Sequence, residues 1–163
     1  MKILVVSDSH GQDLFVAKAL DREWPIDAML HLGDSQEDQE EFACILAGED
    51  VPLYMVRGNC DYDPSYPLSR IVELAGHRIL MTHGHLCSVS YGTQELARQA
   101  LENECDIAIF GHTHRPKIDD SSGRLLILNP GSITFPRQEM RKRSYMILKL
   151  EKGKRPEAEL RYV

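Results

Sequence analysis

The sequence lacks any apolar run that approaches the roughly 20 residues a membrane-spanning helix needs. Its first residues turn polar too soon to provide the apolar region of a signal peptide. Basic residues are also in the minority, with 19 Lys and Arg against 25 Asp and Glu and a formal net charge of -6, and the one basic run, residues 137–143, is interrupted by Glu139. We therefore expect a cytoplasmic protein without a membrane partner and without broad nucleic-acid binding.

Cysteine pairs at metal-binding or redox spacing are missing as well. The chain contains Cys44, Cys60, Cys87 and Cys105, and none of them belongs to a Cys-x-x-Cys motif. This spacing excludes a zinc knuckle and a thioredoxin-like site. In a reducing compartment we expect these four thiols to remain reduced.

Length and apolar pattern predict a single domain over residues 1–163 of the α/β class. The chain begins as β-α-β-α-β, and a hairpin followed by strands alone after Pro116 indicates mixed rather than purely parallel sheets. Ser35 is a plausible cap for the second helix, with Asp38 three residues later. The predicted strands cover residues 2–7, 28–32, 53–56, 71–74, 78–82, 106–110, 144–150 and 158–163, and the predicted helices cover 14–24, 35 to about 47, and 91–104.

Polar side chains that can bind metal follow most of these strands directly. In an α/β sheet the carboxyl ends of the strands deliver functional groups to one edge, so these side chains are expected to converge. Asp8 and His10 are two residues apart, as are His112 and His114, and the strand period of two predicts that each pair points to the same side. The candidate donors are Asp8, His10, Asp34, Asn59, His83, His112 and His114.

Seven donors exceed what one ion needs if a position is to stay open, so we expect two divalent metal ions. Such a pair needs a bridging carboxylate, and Asp34 is the natural candidate. Donors without thiolate suit manganese, iron, zinc, cobalt or nickel better than Cu(I), and the histidines disfavour magnesium or calcium. Among these five metals we take manganese as the first candidate. Taken singly, each Asp or Asn after a strand is equally well explained as a cap or turn residue.

The motifs, taken in order over nearly the whole chain, resemble those of the calcineurin-like metallophosphoesterase superfamily. The Cys after Gly-Asn and the stretch 129–132 are similar to the small YfcE-type phosphodiesterases. The resemblance implies a four-layer α-β-β-α sandwich with mixed sheets and metals at the strand rim. The motifs are Asp8-Ser9-His10, Gly33-Asp34, Gly58-Asn59-Cys60-Asp61, His83-Gly84-His85 and Gly111-His112-Thr113-His114.

The resemblance also implies an activity, the hydrolysis of a small phosphate ester, in particular a phosphodiester. A hydroxide held between two metals would attack phosphorus, without a covalent phosphoenzyme. By motif position, Asp8, His10 and His114 would bind the first metal, Asn59, His83 and His112 the second, and Asp34 both. A homo-oligomer is compatible with the sequence.

One position departs from the pattern of the superfamily. Cys60 stands where many members have a His thought to protonate the leaving group, and a thiol lacks the charge of an imidazolium. We hypothesise that good leaving groups are favoured, or that His85 or the substrate itself supplies the proton. Cys60 and His85 are therefore predicted catalytic residues, and Asn59 of the same Gly-Asn-Cys motif is the third.

Several other polar residues have two interpretations each. Asp61 either hydrogen-bonds a ligand residue or is a turn residue, and Asn129 and Ser132 either line the pocket or form a turn. Arg115 and Arg137 are phosphate clamps or surface charges. His31 and His77 are expected to be structural.

Three other functions compete with phosphoester hydrolysis. A catalytically weak or inactive scaffold of the same fold could act in protein assembly, but such a chain would be expected to have lost donors. An amidohydrolase is disfavoured because its barrel needs about 250 residues. A haloacid-type phosphatase would need Asp-x-Asp after the first strand, where this chain has Asp8-Ser9-His10.

Overall fold

The computed structural model describes the backbone of residues 1–36 and 40–163 and the side chains of residues 1–36 and 42–163. The strands are β1 (Lys2–Val6), β2 (Ala28–His31), β3 (Leu53–Met55), β4 (Ser69–Leu74), β5 (His77–Thr82), β6 (Ile107–Ile109), β7 (Lys117–Asp119), β8 (Leu126–Asn129), β9 (Ser144–Lys149) and β10 (Glu157–Tyr162). The α-helices are α1 (Asp13–Glu23), α2 (Glu40–Gly48) and α3 (Gln94–Glu102), and a short 3-10 helix covers His85–Cys87.

These strands form two mixed sheets of five strands each. The first has the order β10-β9-β1-β2-β3, in which β1, β2 and β3 are parallel and β9 is antiparallel to β1 and β10. The second has the order β4-β5-β6-β8-β7, in which β5, β6 and β8 are parallel and both edge strands are antiparallel. The prediction of mixed sheets is therefore confirmed.

Alternating side chains along the strands build three apolar layers. Ile3 of β1 and Ile107 of β6 belong to a buried cluster that draws on both sheets and so lies between them. Leu4 packs on the opposite face of the first sheet in a cluster with α1 and α2, and Ala108 packs on the outer face of the second sheet with α3. The fold is the four-layer α-β-β-α sandwich that the resemblance implied. That residues 1–163 form one domain stays a prediction.

The first predicted helix is displaced from α1 by one residue, and the other two differ more from the observed helices at their ends. The prediction that a helix covers 91–104 is wrong at both ends, because the backbone at Gly92 (φ 156°) and Glu104 (φ 56°) is not helical. The second helix begins at Glu40, and the hydroxyl of Ser35 donates to Asp61 at 3.2 Å. The predicted contribution of Asp38 to a cap falls outside the described residues. Among the helices of the described chain, none has both the length and the apolar character to cross a membrane.

Candidate metal centre

Five loops bring polar side chains to one edge of the sandwich, where parallel strands end. All seven predicted donors meet there, and their function as metal ligands stays a prediction. The loop after β1 carries Asp8 and His10, that after β2 Asp34, that after β3 Asn59, that after β5 His83, and that after β6 His112 and His114.

One half of the cluster is formed by Asp8, His10 and His114. The Nε2 atom of His114 lies 3.1 Å from Oδ1 of Asp8 and 3.5 Å from Nε2 of His10. The ligand atoms of these three residues all lie within 4.8 Å of one another, which is the arrangement one metal ion needs. The Nε2 atom of His10 in turn lies 3.9 Å from Oδ2 of Asp34.

The other half of the cluster is formed by Asn59, His83 and His112. The Oδ1 atom of Asn59 lies 3.1 Å from Nε2 of His83 and 2.9 Å from Nδ1 of His112. Nε2 of His83 also lies 3.4 Å from Oδ2 of Asp34. Asp34 therefore lies next to both halves, at the place where a shared ligand would be needed.

Backbone carbonyls orient two of the histidine rings. Nδ1 of His83 lies 2.7 Å from the oxygen of Leu32, and Nδ1 of His114 lies 2.6 Å from the oxygen of Phe135. Because a carbonyl only accepts, each Nδ1 carries the hydrogen and each neutral ring presents its lone pair at Nε2. Those lone pairs face carboxylate oxygens, so acceptor meets acceptor unless a cation or a proton lies between them.

The carboxylate of Asp8 is only half satisfied by protein donors. Its Oδ2 accepts from the hydroxyl of Ser7 at 2.6 Å and from the amide of His112 at 3.2 Å. Its Oδ1 is buried and, within the described part of the chain, has no hydrogen-bond partner. A buried oxygen without a donor is costly, and a cation beside it removes that cost. The oxygen and nitrogen donors present here thus fit divalent metal ions.

Burial and neighbouring charges keep Asp34, His10 and His112 in metal-binding protonation states. Burial alone would lower the pKa of His83, but its contacts with Asp34 and Asp8 raise it, so a proton can take the place between His83 and Asp34 that a cation would occupy. Burial alone would raise the pKa of Asp34, but its contact with His83 outweighs this effect, and the pKa lies well below its usual value. Burial lowers the pKa of His10, and burial together with His83 lowers the pKa of His112. At neutral pH the carboxylate is therefore charged and these two imidazoles are neutral, as metal binding requires.

Five of the seven donors lie in left-handed backbone conformations, which side chains other than glycine rarely adopt. The φ angles are 56° at Asp8, 47° at His10, 52° at Asp34, 64° at His112 and 57° at His114. Tight turns therefore set the direction of these side chains. The prediction that the strand period of two directs each pair, Asp8 with His10 and His112 with His114, was wrong. Such backbone persists only where the surroundings hold it.

Asp61 holds two of these loops together. Its carboxylate accepts from the amides of Asp34 at 2.8 Å, Gln36 at 2.8 Å and Gly58 at 2.7 Å. It therefore ties the loop after β2 to the loop after β3. Of the two interpretations of Asp61, the structure favours the one in which it orients a ligand residue.

His31 links the loops after β1 and β2. Its Nδ1 accepts from the amide of Gly33 at 3.2 Å, which leaves the hydrogen on Nε2 to be donated to the hydroxyl of Ser9 at 3.1 Å. Burial lowers the pKa of His31 to about 4, so the ring is neutral. His77 makes its contacts away from the cluster: its Nδ1 lies 2.5 Å from Oδ2 of Asp106. Both histidines thus have the structural roles expected.

The segment after β8 anchors the loops from behind. Asn129 donates to the oxygen of Gly111 at 2.8 Å, and the hydroxyl of Ser132 donates to the oxygen of Asp8 at 2.9 Å. The hydroxyl of Thr134 donates to the oxygen of Ser9 at 2.9 Å. Asn129 and Ser132 are fully buried, so they support the loops and do not line a pocket. Thr134 had no signal in the sequence beyond its nearness to Ser132.

Three glycines allow the loops to pack against one another. A Cβ atom at Gly58 would lie 2.1 Å from Oδ1 of Asp34, one at Gly111 would lie 2.0 Å from Oγ of Ser7, and one at Gly33 would lie 2.6 Å from the nitrogen of Gly58. Real atoms do not approach so closely. Glycine is therefore required directly before Asp34, Asn59 and His112, because backbone comes too close there for a side chain.

The two remaining predicted catalytic residues lie beside the cluster. The ligand atoms of Cys60, His10 and Asp34 lie within 4.8 Å of one another, and burial together with Asp34 raises the pKa of Cys60 to about 11. The ring of His85 is centred 5.5 Å from that of His83 and 6.2 Å from that of His112. Burial lowers the pKa of His85, so its ring is neutral at neutral pH.

Sequence comparison assigns the family directly. Residues 1–153 match the family model described as the calcineurin-like phosphoesterase superfamily domain, so the chain belongs to this superfamily. A relative from Bacillus subtilis strain 168, the probable metallophosphoesterase YsnB, is 35% identical over 152 residues that cover 93% of this chain and 85% of the relative.

Solved structures share the fold. A conserved uncharacterized protein of Streptococcus pneumoniae TIGR4, a predicted phosphoesterase, is 31% identical with a TM-score of 0.79 and covers 98% of this chain and 97% of its own. Vps29 of Entamoeba histolytica in complex with zinc is 21% identical with a TM-score of 0.76, covering 99% of both chains. An archaeal phosphodiesterase is also 21% identical, with a TM-score of 0.71, covering 99% of this chain and all of its own. The last two show the fold alone.

The packing at Gly58 generates a stability prediction. We expect Gly58→Ala to lower the free energy of unfolding by about 1–3 kcal/mol, because the new methyl group must displace Asp34. Gly48→Ala is the matched control: nothing lies within 4 Å of a Cβ there, and it ends α2. That change should be neutral or stabilising by up to about 1 kcal/mol. Urea denaturation of both variants measures the difference, and equal stabilities would contradict the packing described.

Proposed function

We propose that the chain is a dinuclear metal-dependent phosphoesterase, and most specifically a phosphodiesterase. The observation that carries the proposal is the meeting of lone pairs and carboxylate oxygens around Asp34 and Asp8, which calls for positive charge between them. A family whose members are named phosphoesterases supports the reaction class. A cytoplasmic location and a small phosphate-ester substrate belong to the same proposal.

Each donor has a place in the proposed centre. Asp8, His10 and His114 would hold one ion, Asn59, His83 and His112 the other, and Asp34 would be shared. Manganese is the preferred candidate, with nickel, zinc, iron or cobalt as alternatives. When bound, such ions supply Lewis acidity and lower the pKa of water, so that hydrolysis can proceed at neutral pH.

The protein's own groups then bind the ester and move protons. His85 is the imidazole next to the cluster that is not needed as a ligand, and we assign to it the transfer of a proton to the leaving oxygen. Because its ring is neutral at neutral pH, it would first have to accept that proton from the water that attacks phosphorus. The thiol of Cys60 is a weaker candidate for that step. Asn59, whose Oδ1 contacts His83 and His112, would orient the phosphate as well as bind metal.

A scaffold without strong catalysis is the alternative function. The fold it shares with Vps29, a protein whose Chaetomium thermophilum form is solved in complex with a cyclic peptide, is the observation that favours this alternative. All seven donors are present in this chain, which favours the enzyme. Metal content after purification from unsupplemented medium, together with the assay below, separates the two functions.

Removing the shared carboxylate should abolish activity. We expect Asp34→Asn to lower kcat/KM for bis(4-nitrophenyl) phosphate with manganese by at least about 100-fold, because both ions lose a charged ligand. Asn also tolerates the left-handed backbone at this position, so the fold should be kept. The same assay on His112→Ala should show a loss of similar size.

Asp21→Asn is the control for this experiment, since Asp21 is exposed on α1. It should keep wild-type activity. Metal analysis by plasma mass spectrometry should show less bound metal in Asp34→Asn and an unchanged amount in Asp21→Asn. An active Asp34→Asn variant would contradict the proposed centre, and a wild-type chain with neither metal nor activity would support the scaffold.

Restoring an imidazole at position 60 should widen the range of leaving groups. We expect Cys60→His to raise kcat/KM for diphenyl phosphate relative to bis(4-nitrophenyl) phosphate by about tenfold or more, since a general acid helps poor leaving groups most. Cys60→Ala, which removes the thiol without adding an acid, should leave this ratio near the wild-type value. The hypothesis fails if the histidine variant leaves the ratio where it was.

A further inference from the structure

Four arginines line a cavity beside the candidate metal centre, although the chain as a whole is acidic. The cavity has a volume of about 570 Å³. It is lined by Arg115, Arg137, Arg141 and Arg143 together with Thr134 and Phe135. Such a concentration of one charge raises the local concentration of anions.

These arginines lack the carboxylate partners that arginines elsewhere in the chain have. Arg98 pairs with two glutamates on α3, and Arg155 pairs with Asp120. In contrast, among the described side chains none forms an ion pair with the four cavity arginines, all of which are exposed. The Cζ atom of Arg143 lies 4.2 Å from the centre of the ring of Phe15. This contact does not use the N–H donors of the guanidinium, which have no acidic partner among the described side chains. The cavity therefore offers guanidinium groups to an external anion.

The cavity is joined to the candidate metal centre through the chain that forms its wall. The oxygen of Phe135 accepts from Nδ1 of His114, and the ring of Phe135 is centred 5.4 Å from that of His10. The amide of Arg137 donates to the oxygen of His114 at 3.0 Å. The cavity and the metal centre therefore share the segment around Phe135 as a common wall, and a ligand that binds at both has to pass over the ring of Phe135.

A second cavity, with a volume of about 730 Å³, shares two of these arginines with the first. Arg115 and Arg137 line both cavities, and Thr113, between His112 and His114, lines this one. The two residues that the sequence left open as clamps or surface charges thus lie between the two cavities. Their place favours contact with the substrate over a role as plain surface charge.

We propose that the arginine cavity binds a second phosphate group of the substrate. The natural substrate would then be a small phosphodiester of the nucleotide type that carries a further phosphate away from the bond that is cleaved. Guanidinium groups bind phosphate oxygens in pairs of hydrogen bonds, and the half-exposed ring of Phe135 offers an apolar surface for the organic part between the two phosphates. This inference rests on the proposed function of the metal centre.

A matched pair of chromogenic substrates tests the inference. Thymidine 5'-(4-nitrophenyl phosphate) and the same compound with an added 3'-phosphate share the leaving group and differ only in the second phosphate. We expect the added phosphate to raise kcat/KM by at least about tenfold in the wild-type chain, because hydrogen bonds between charged groups supply at least the free energy of such a change, about 1.4 kcal/mol. In the double variant Arg137→Gln, Arg141→Gln this preference should fall to about threefold or less.

Arg124→Gln is the control variant, since Arg124 is an exposed arginine in the turn before β8. It should keep the full preference for the second phosphate. That result would show that loss of one positive surface charge does not by itself remove the preference. Thermal melting followed by circular dichroism checks that the double variant is folded. A wild-type chain that treats both substrates alike, or a double variant that keeps the preference, overturns the inference.

Binding without turnover separates this inference from the proposed function. Isothermal titration calorimetry compares thymidine 3',5'-bisphosphate with thymidine 5'-monophosphate on the wild-type chain, once with manganese and once with a chelator. If no substrate is hydrolysed but the bisphosphate still binds at least about tenfold more tightly, and loses this advantage in the double variant, the phosphate site stands and the proposed function fails. Equal binding, or no binding of either ligand, overturns the phosphate site.

Discussion

The hydrogen bonds from His83 to the oxygen of Leu32 and from His114 to the oxygen of Phe135 fix what the centre can hold. They place the ring hydrogens on the protein side and leave lone pairs directed at the carboxylates of Asp34 and Asp8. The protein thus builds an arrangement of acceptors that is unfavourable by itself and favourable around cations. The candidate function follows from this constraint, since positive charge held at such a place stabilises a phosphate ester and the charge that develops when it is cleaved.

The arrangement depends on loops from distant parts of the sequence. The amide of His112 donates to the carboxylate of Asp8 across 104 positions of the chain, and Ser132 reaches the backbone of Asp8 across 124. Because the loops are in contact at Gly58 and Gly111, no side chain fits between them. Such mutual packing can hold donors in left-handed conformations that cost about 1–3 kcal/mol each.

Sequence patterns predicted the α/β class, the mixed sheets and the candidate donors, because these depend on local information, whereas the four layers were implied by the family resemblance. Apolar alternation in β1 and the polar residues directly after strands are visible in a single segment. The left-handed turns at Asp8 and His112 were not predictable, since non-glycine residues adopt them only under tertiary constraint. The role of Asp61 stayed open between two interpretations until its three amide donors were seen. Arg115 is separate in sequence from the interrupted basic run of residues 137–143, and only the fold brings it to the same cavity.

Anomalous diffraction from crystals grown with manganese tests the central claim most directly. The account predicts two peaks about 3.5–4 Å apart, with the carboxylate of Asp34 next to both and the Nε2 atoms of His83 and His114 each next to one. Data collected above and below the manganese edge distinguish these peaks from other ions. A single peak, no peak, or rings of His83 and His114 turned away from the ions would contradict the account.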